Sequence, residues 1–124
     1  MSLPKLPVRF FRSDTGNEPV RDWLKRLPDA ERKTVGDEIR VMQFGWPVGM
    51  PLVRKLKSDL WEVRVHLDER IARVVFTVLE GQAVLLHGFI KKSQKTPTTD
   101  LGTAIERMKS LRAVQKRPKQ LRRN

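Results

Sequence analysis

The sequence predicts an α+β domain, and three observations predict it. Two N-terminal stretches carry apolar residues at helical spacing and are separated by little more than a proline. Three later stretches read as strands whose connections are about two residues long, which only antiparallel hairpins allow. A last apolar stripe at helical spacing follows another proline. An antiparallel sheet with a helical hairpin on one face and a C-terminal helix satisfies all three, in the order β-α-α-β-β-β-α.

The elements follow from local chemistry. Residues 8–12 (Val8, Arg9, Phe10, Phe11, Arg12) read as a short strand between prolines and the turn-rich run Ser13 to Asn17. Asn17 suits a helix N-cap, with Glu18 and Pro19 in the first turn. Val20, Trp23, Leu24 and Leu27 then form one apolar stripe. Pro28 ends that helix and opens the next, in which Val35, Ile39 and Met42 keep the spacing until Gly45. Residues 46–51, with two prolines and a glycine, form a loop. The strands are Leu60 to Leu67, Arg70 to Leu79 and Gln82 to Ile90, turned by Asp68-Glu69 and Glu80-Gly81. Pro97 closes the strand region, Thr98 or Thr99 caps the last helix, and Leu101, Ala104, Ile105, Met108 and Leu111 make its apolar stripe. The length suits one domain over residues 1–116, with 117–124 a basic tail lacking apolar periodicity and expected to be disordered.

Composition narrows the function classes. The chain has no cysteine, which removes disulfides, thiolate metal sites and a cysteine nucleophile. No run approaches the roughly 18 apolar residues of a membrane span, and residues 1–11, broken by Pro4 and Pro7, do not resemble a signal peptide. The expected compartment is the cytoplasm. Net charge is +12, but after Glu106 the chain carries eight basic residues and no acidic one, so residues 1–106 hold 18 basic against 14 acidic, a net +4. Such a field attracts nucleic acid, ribosomes or acidic proteins without choosing among them, and a solvated solubilising tail is the plain alternative. Neither a metal-ligand spacing, a phosphate-binding glycine loop nor a nucleophilic Ser/His/Asp signature is present, and no cofactor is expected.

The chemistry is expected on one face of the sheet. Alternation puts Trp61, Val63, Val65 and Leu67 on one side, and Glu62, Arg64 and His66 on the other. In the next strand Ala72, Val74, Phe76 and Val78 oppose Ile71, Arg73, Val75 and Thr77; in the last, Val84, Leu86 and Ile90 oppose Ala83, Leu85, His87, Phe89 and Lys91. With the apolar sets against helices, the remaining face gathers Arg64, His66, Arg73, His87 and Lys91 around an exposed Phe89, with Glu62 among them; a one-residue bulge would reassign the strand. Guanidinium forks hold phosphates and an aromatic ring stacks on bases, so this surface suits single-stranded RNA. Metal-free RNA cleavage needs activation of a 2′-hydroxyl, neutralisation of the phosphorane and protonation of the leaving 5′-oxygen. Arginine supplies the second, histidine is a natural proton shuttle, and lysine can supply charge or a proton. The plainer readings stand beside this one: Arg64 and Arg73 as solvent-facing strand residues, Glu62 as their ion-pair partner, His66 as merely exposed, and His87 as a histidine satisfied beside Phe89. Trp23, Trp46 and Trp61 read as packing residues.

A family resemblance adds to these patterns. Residues 53–65, from Val53-Arg54-Lys55-Leu56-Lys57 through Leu60-Trp61-Glu62-Val63-Arg64, resemble the "lysine-leucine … glycine-leucine-tyrosine-glutamate-leucine-arginine" strand of phage-derived, Gp49-like HigB toxins. Arg70-Ile71-Ala72-Arg73 resembles the strand that follows it there. The segment His87-Gly88-Phe89-Ile90-Lys91-Lys92, ending in Lys95-Thr96-Pro97, is similar to their most specific motif. The resemblance runs over about residues 8–112.

It implies the RelE-like fold and a toxin of a type II toxin–antitoxin pair that cuts mRNA on the translating ribosome. By position, Arg64 and Arg73 match the sheet arginines that hold or stabilise the scissile phosphate. Lys91 and Lys92 match the basic strand end that supplies further catalytic or binding charge, and Lys95 matches a phosphate contact. Lys55 and Lys57, in the first motif, join Phe89 and Lys95 as RNA-binding candidates; His87 joins the catalytic ones. The chain has no tyrosine, so the aromatic acid/base of some relatives is absent and its role falls to His87 or a lysine. Ser58-Asp59 replaces the usual glycine-bearing turn. The implied partners are mRNA on the ribosome and a helix-turn-helix antitoxin. The competing functions are a ParE-like gyrase poison on the same fold, and a nucleic-acid-binding protein of a mobile element.

Overall fold

The computed structural model describes residues 3–91 and 96–115. The described chain runs β1 (Val8–Phe10), α1 (Pro19–Arg26), α2 (Asp29–Gly45), β2 (Val53–Lys57), β3 (Leu60–His66), β4 (Ile71–Leu79), β5 (Gln82–Lys91) and α3 (Thr98–Gln115). The strands form one sheet in the order β1-β5-β4-β3-β2. The α+β class and RelE-like architecture are therefore present. No helix among the described residues is long and apolar enough to cross a membrane.

The number of strands and the direction of one of them differ from the sequence reading. An additional strand, β2, pairs antiparallel with β3, with Arg54 opposite Glu62. Its five residues alternate too weakly between apolar and basic to stand out; pairing with β3 through the Ser58-Asp59 turn is what forms it. Asp59 takes the left-handed conformation there (φ 64°), which glycine adopts most readily. The sheet is also mixed rather than wholly antiparallel, because β1 lies parallel to β5. The α1–α2 hairpin intervenes between β1 and the other strands and allows that orientation.

The helices divide between the two faces. On one side Val20, Val35, Ile39 and Met42 of the hairpin pack on Val63, Val65, Val74, Phe76 and Leu85. Trp46, Trp61 and Phe76 stack edge and face at 5.5–6.0 Å in that layer, so these tryptophans are packing residues. Pro28 separates the two helices: Leu27 before it is extended (ψ 148°), and α2 starts at Asp29. The indole of Trp23 lies so close over Gly88 that a Cβ there would stand 2.4 Å from it, so the glycine of the His87-Gly88-Phe89 motif is a packing requirement. On the other face Ala104 and Met108 of α3 cover Leu60, Val75, Val84, Leu86 and Phe89.

A bulge corrects the predicted faces of β5. Val75 pairs with His87 while Phe76 pairs with Leu85, which leaves Leu86 as the extra residue. Ala83 and Leu85 thus belong to the hairpin layer, and Val84 and Leu86 to the α3 layer, the reverse of strict alternation. Beyond the bulge His87 and Phe89 face α3, as parity predicts.

Candidate functional site

The α3 face of the sheet carries the chemistry in successive rows. Arg54, Glu62, Val75 and His87 align across β2 to β5; Arg64, Arg73 and Phe89 align next; His66, Ile71 and Lys91 align at the end. Arg64 and Arg73 are thus direct cross-strand neighbours, a like-charge pairing that is unfavourable unless compensated. Glu62 compensates it. Its Oε1 lies 3.9 Å from Arg64 Nε and 4.0 Å from Arg73 Nε, and its Oε2 accepts a 2.7 Å hydrogen bond from the Thr96 hydroxyl. Glu62 and Arg73 are fully buried and the Arg64 side chain is 9% exposed. Burial lowers the Arg73 pKa from the ordinary arginine value, Glu62 opposes that, and Arg64 and Arg54 reinforce it. Among the described residues, the cluster is therefore a carboxylate set among three guanidinium groups.

His87 occupies the adjoining row but is held from both sides. Its Nε2 lies 2.7 Å from Asp100 Oδ1, in the first turn of α3, and its Nδ1 is 3.4 Å from Arg107 Nη1. With Nε2–H donating to the carboxylate, Nδ1 is left to accept from Arg107. Arg107 also donates to the Leu86 carbonyl at 2.7 Å, and burial lowers its pKa. The ring stacks on Phe89 at 5.5 Å and 22°. This is the geometry of a histidine that fastens α3 to β5.

Of the candidates, Arg64 and Arg73 come together as expected, with His87 in the next row and Lys91 exposed at the strand end beyond them. Phe89 departs from expectation: it is 8% exposed, because α3 covers it, and offers no free face to a base. Lys55 lies on the hairpin side, its Nζ 5.9 Å over the Trp61 ring. Lys57 is exposed near the β2–β3 turn, at the opposite end of β3 from the His66 and Lys91 row. Neither joins the arginine cluster. Lys92, Lys95 and the 117–124 tail lie outside the described residues.

The family model for phage-derived Gp49-like proteins matches residues 22–109, from α1 into α3 and across every arginine of the cluster. The chain belongs to the Gp49-like family. Within it the chain is HigB-like: "Probable endoribonuclease HigB1" of Mycobacterium tuberculosis, in strains CDC 1551 / Oshkosh and ATCC 25618 / H37Rv, is 31% identical over 104 residues, covering 82% of this chain and 81% of the relative.

Four residues of this Gp49-like site were not singled out from sequence. Arg54 sits on β2, and recognising that strand puts it beside Glu62 by alternation. Thr96, Asp100 and Arg107 reach the sheet only through the placement of α3, for which their sequence spacing carries no signal.

Proposed function

We propose that this chain is the toxin of a type II toxin–antitoxin pair, an endoribonuclease that cuts mRNA on the translating ribosome. The observation that carries this reading is the Arg64–Arg73 pair, backed by Arg54 and spaced by Glu62, on one sheet face of a HigB-like fold.

In the proposed reaction the 2′-oxygen attacks phosphorus as its proton passes to solvent water, and the P–O5′ bond breaks as the 5′-oxygen is protonated, leaving a 2′,3′-cyclic phosphate and a free 5′-hydroxyl. Arg64, the more accessible of the buried pair, contacts the phosphate and neutralises the phosphorane. Arg73 stands behind it and contributes field from a water-excluded position, where charge acts more strongly. Lys91, exposed at the end of the same face, supplies charge and a proton near the leaving oxygen, and Lys92 extends that role by its place in the motif. His87 positions α3 and Phe89 rather than shuttling the proton, because both ring nitrogens are already engaged. Nothing here demands a metal for the step. The ribosome's part is to hold the 2′-hydroxyl in line, which supplies the orientation a sparse site lacks.

The partner under this reading is a helix-turn-helix antitoxin acting in the cytoplasm. Expression in a bacterial host tests the pairing: growth arrest with mRNA decay, relieved by co-expression and co-purification of the neighbouring gene product, is the expected result. Arrest with intact mRNA and inhibited DNA supercoiling would count for gyrase poisoning instead.

A further inference from the structure

We infer that Thr96 is a positioning residue for the phosphate chemistry: its hydroxyl holds the Glu62 carboxylate in a pose that balances Arg64 and Arg73 without clamping either. The inference rests on the RNA-cleaving reading and adds to it a residue that tunes the arginine pair.

The geometry around Glu62 is asymmetric. Its Oε2 takes the Thr96 hydroxyl at 2.7 Å, the short length of a hydrogen bond to a charged oxygen. Its Oε1 lies 3.9 Å and 4.0 Å from the Nε atoms of Arg64 and Arg73, nearly equidistant and beyond direct hydrogen-bond length. Among the described residues Oε1 accepts no hydrogen bond. A buried carboxylate beside two guanidinium groups has a stronger arrangement open to it, a two-bond fork closed on one of them. That fork needs both oxygens, and Thr96 occupies one.

Thr96 is well placed to hold that pose. It is half-buried and precedes Pro97, which bars helical backbone before it, and its own branched side chain has few rotamers. Helix α3 starts directly after, with Leu101 N–H donating to the Pro97 carbonyl at 3.0 Å. One turn further on, Asp100 holds His87, which lies in the same sheet row as Glu62. The start of α3 is thus tied to that row at both β3 and β5. Asp100 already serves as an anchor for the helix, so the Thr96 bond does more than fasten α3.

Without the hydroxyl, Glu62 is free to close on one arginine and draw its charge away from the substrate. The loss falls on the phosphorane, which carries more charge than the bound phosphate, and so appears in kcat. Affinity for the ribosome-held message, made over a wider surface, is left largely intact.

Cleavage of mRNA on programmed ribosomes tests this, with kcat and KM measured separately for folded wild type, Thr96→Val and Thr96→Ser. Thr96→Val should lower kcat about tenfold, the worth of one such hydrogen bond, and leave KM near its wild-type value. Thr96→Ser, which keeps the hydroxyl, should restore most of kcat. Added to Glu62→Gln, Thr96→Val should change kcat by less than about twofold, because no carboxylate remains to be held. Should Thr96→Val not fold, Thr96→Cys takes its place, since a thiol is a weak donor. An unchanged kcat, a rise in KM alone, no rescue by serine, or an undiminished effect beside Glu62→Gln overturns the inference and leaves the nuclease reading standing. No cuts from folded wild-type protein overturns the nuclease reading, and the role of Thr96 with it.

Discussion

Arg64 and Arg73 face each other directly across β3 and β4, and the buried Glu62 carboxylate sits about 4 Å from both guanidinium groups. The arrangement stores positive charge inside a folded sheet. Two cations alone would repel and drive the strands apart, while a fully neutralised cluster would have nothing left for a phosphate. Among the described residues, one carboxylate stands among three arginines.

Glu62 is therefore expected to be the main stability determinant of the site. Glu62→Ala should cost about 3–5 kcal/mol, the usual penalty for leaving a buried charge uncompensated. Glu62→Gln should cost less, since an amide oxygen still accepts from Thr96. Urea unfolding of both variants checks the order, and equal losses would count against a charge-balancing role.

His87 is expected to act through position. Asp100→Asn and His87→Ala should each destabilise the chain by about 1.5–3 kcal/mol, the range for a charge-assisted hydrogen bond. The double variant should lose much less than the sum, because the two residues make one bond. Residual cleavage by His87→Ala should keep the wild-type shape of its pH profile. Loss of one limb of that profile would instead make His87 a proton donor or acceptor.

Gly88→Ala should destabilise by about 1–3 kcal/mol through overpacking against Trp23. Trp23→Leu should recover part of the loss, measured by thermal unfolding. A neutral Gly88→Ala variant would show that α1 can shift away from β5 without cost.

Much of this fold was legible because its periodicities are strong. The stripe of Val20, Trp23 and Leu24, the alternation around Val63 and Val65, and the Leu101 to Met108 stripe each specify an element and its buried side. Arg64 and Arg73 were legible for the same reason: each lies opposite its own strand's apolar set, and β3 pairs with β4 without a bulge. What escaped depends on contacts distant in sequence. The β5 bulge exchanges the layers of Ala83 and Val84 with no local mark, and β2 exists only because β3 pairs with it. The burial of Phe89 follows from α3 crossing the same face that carries the arginines, which helical spacing alone does not orient.

Charge placement separates the lysines. Lys91→Ala should reduce the salt dependence of RNA binding by about one counterion's worth of slope. Lys55→Ala, altering a residue on the opposite face over Trp61, should leave binding unchanged. Affinity measured across a salt series checks both, and equal effects would place the RNA outside the α3 face.

The most direct test maps the 5′ ends of a defined mRNA in reconstituted translation, with and without ribosomes, for wild type and Arg64→Ala, after both are shown to be folded. The account predicts cuts by the wild type only when ribosomes are present, and their loss in Arg64→Ala. Undiminished cutting by folded Arg64→Ala would contradict the placement of the phosphate on the arginine cluster. Equal cutting of naked mRNA would contradict the ribosome's role in orienting the substrate.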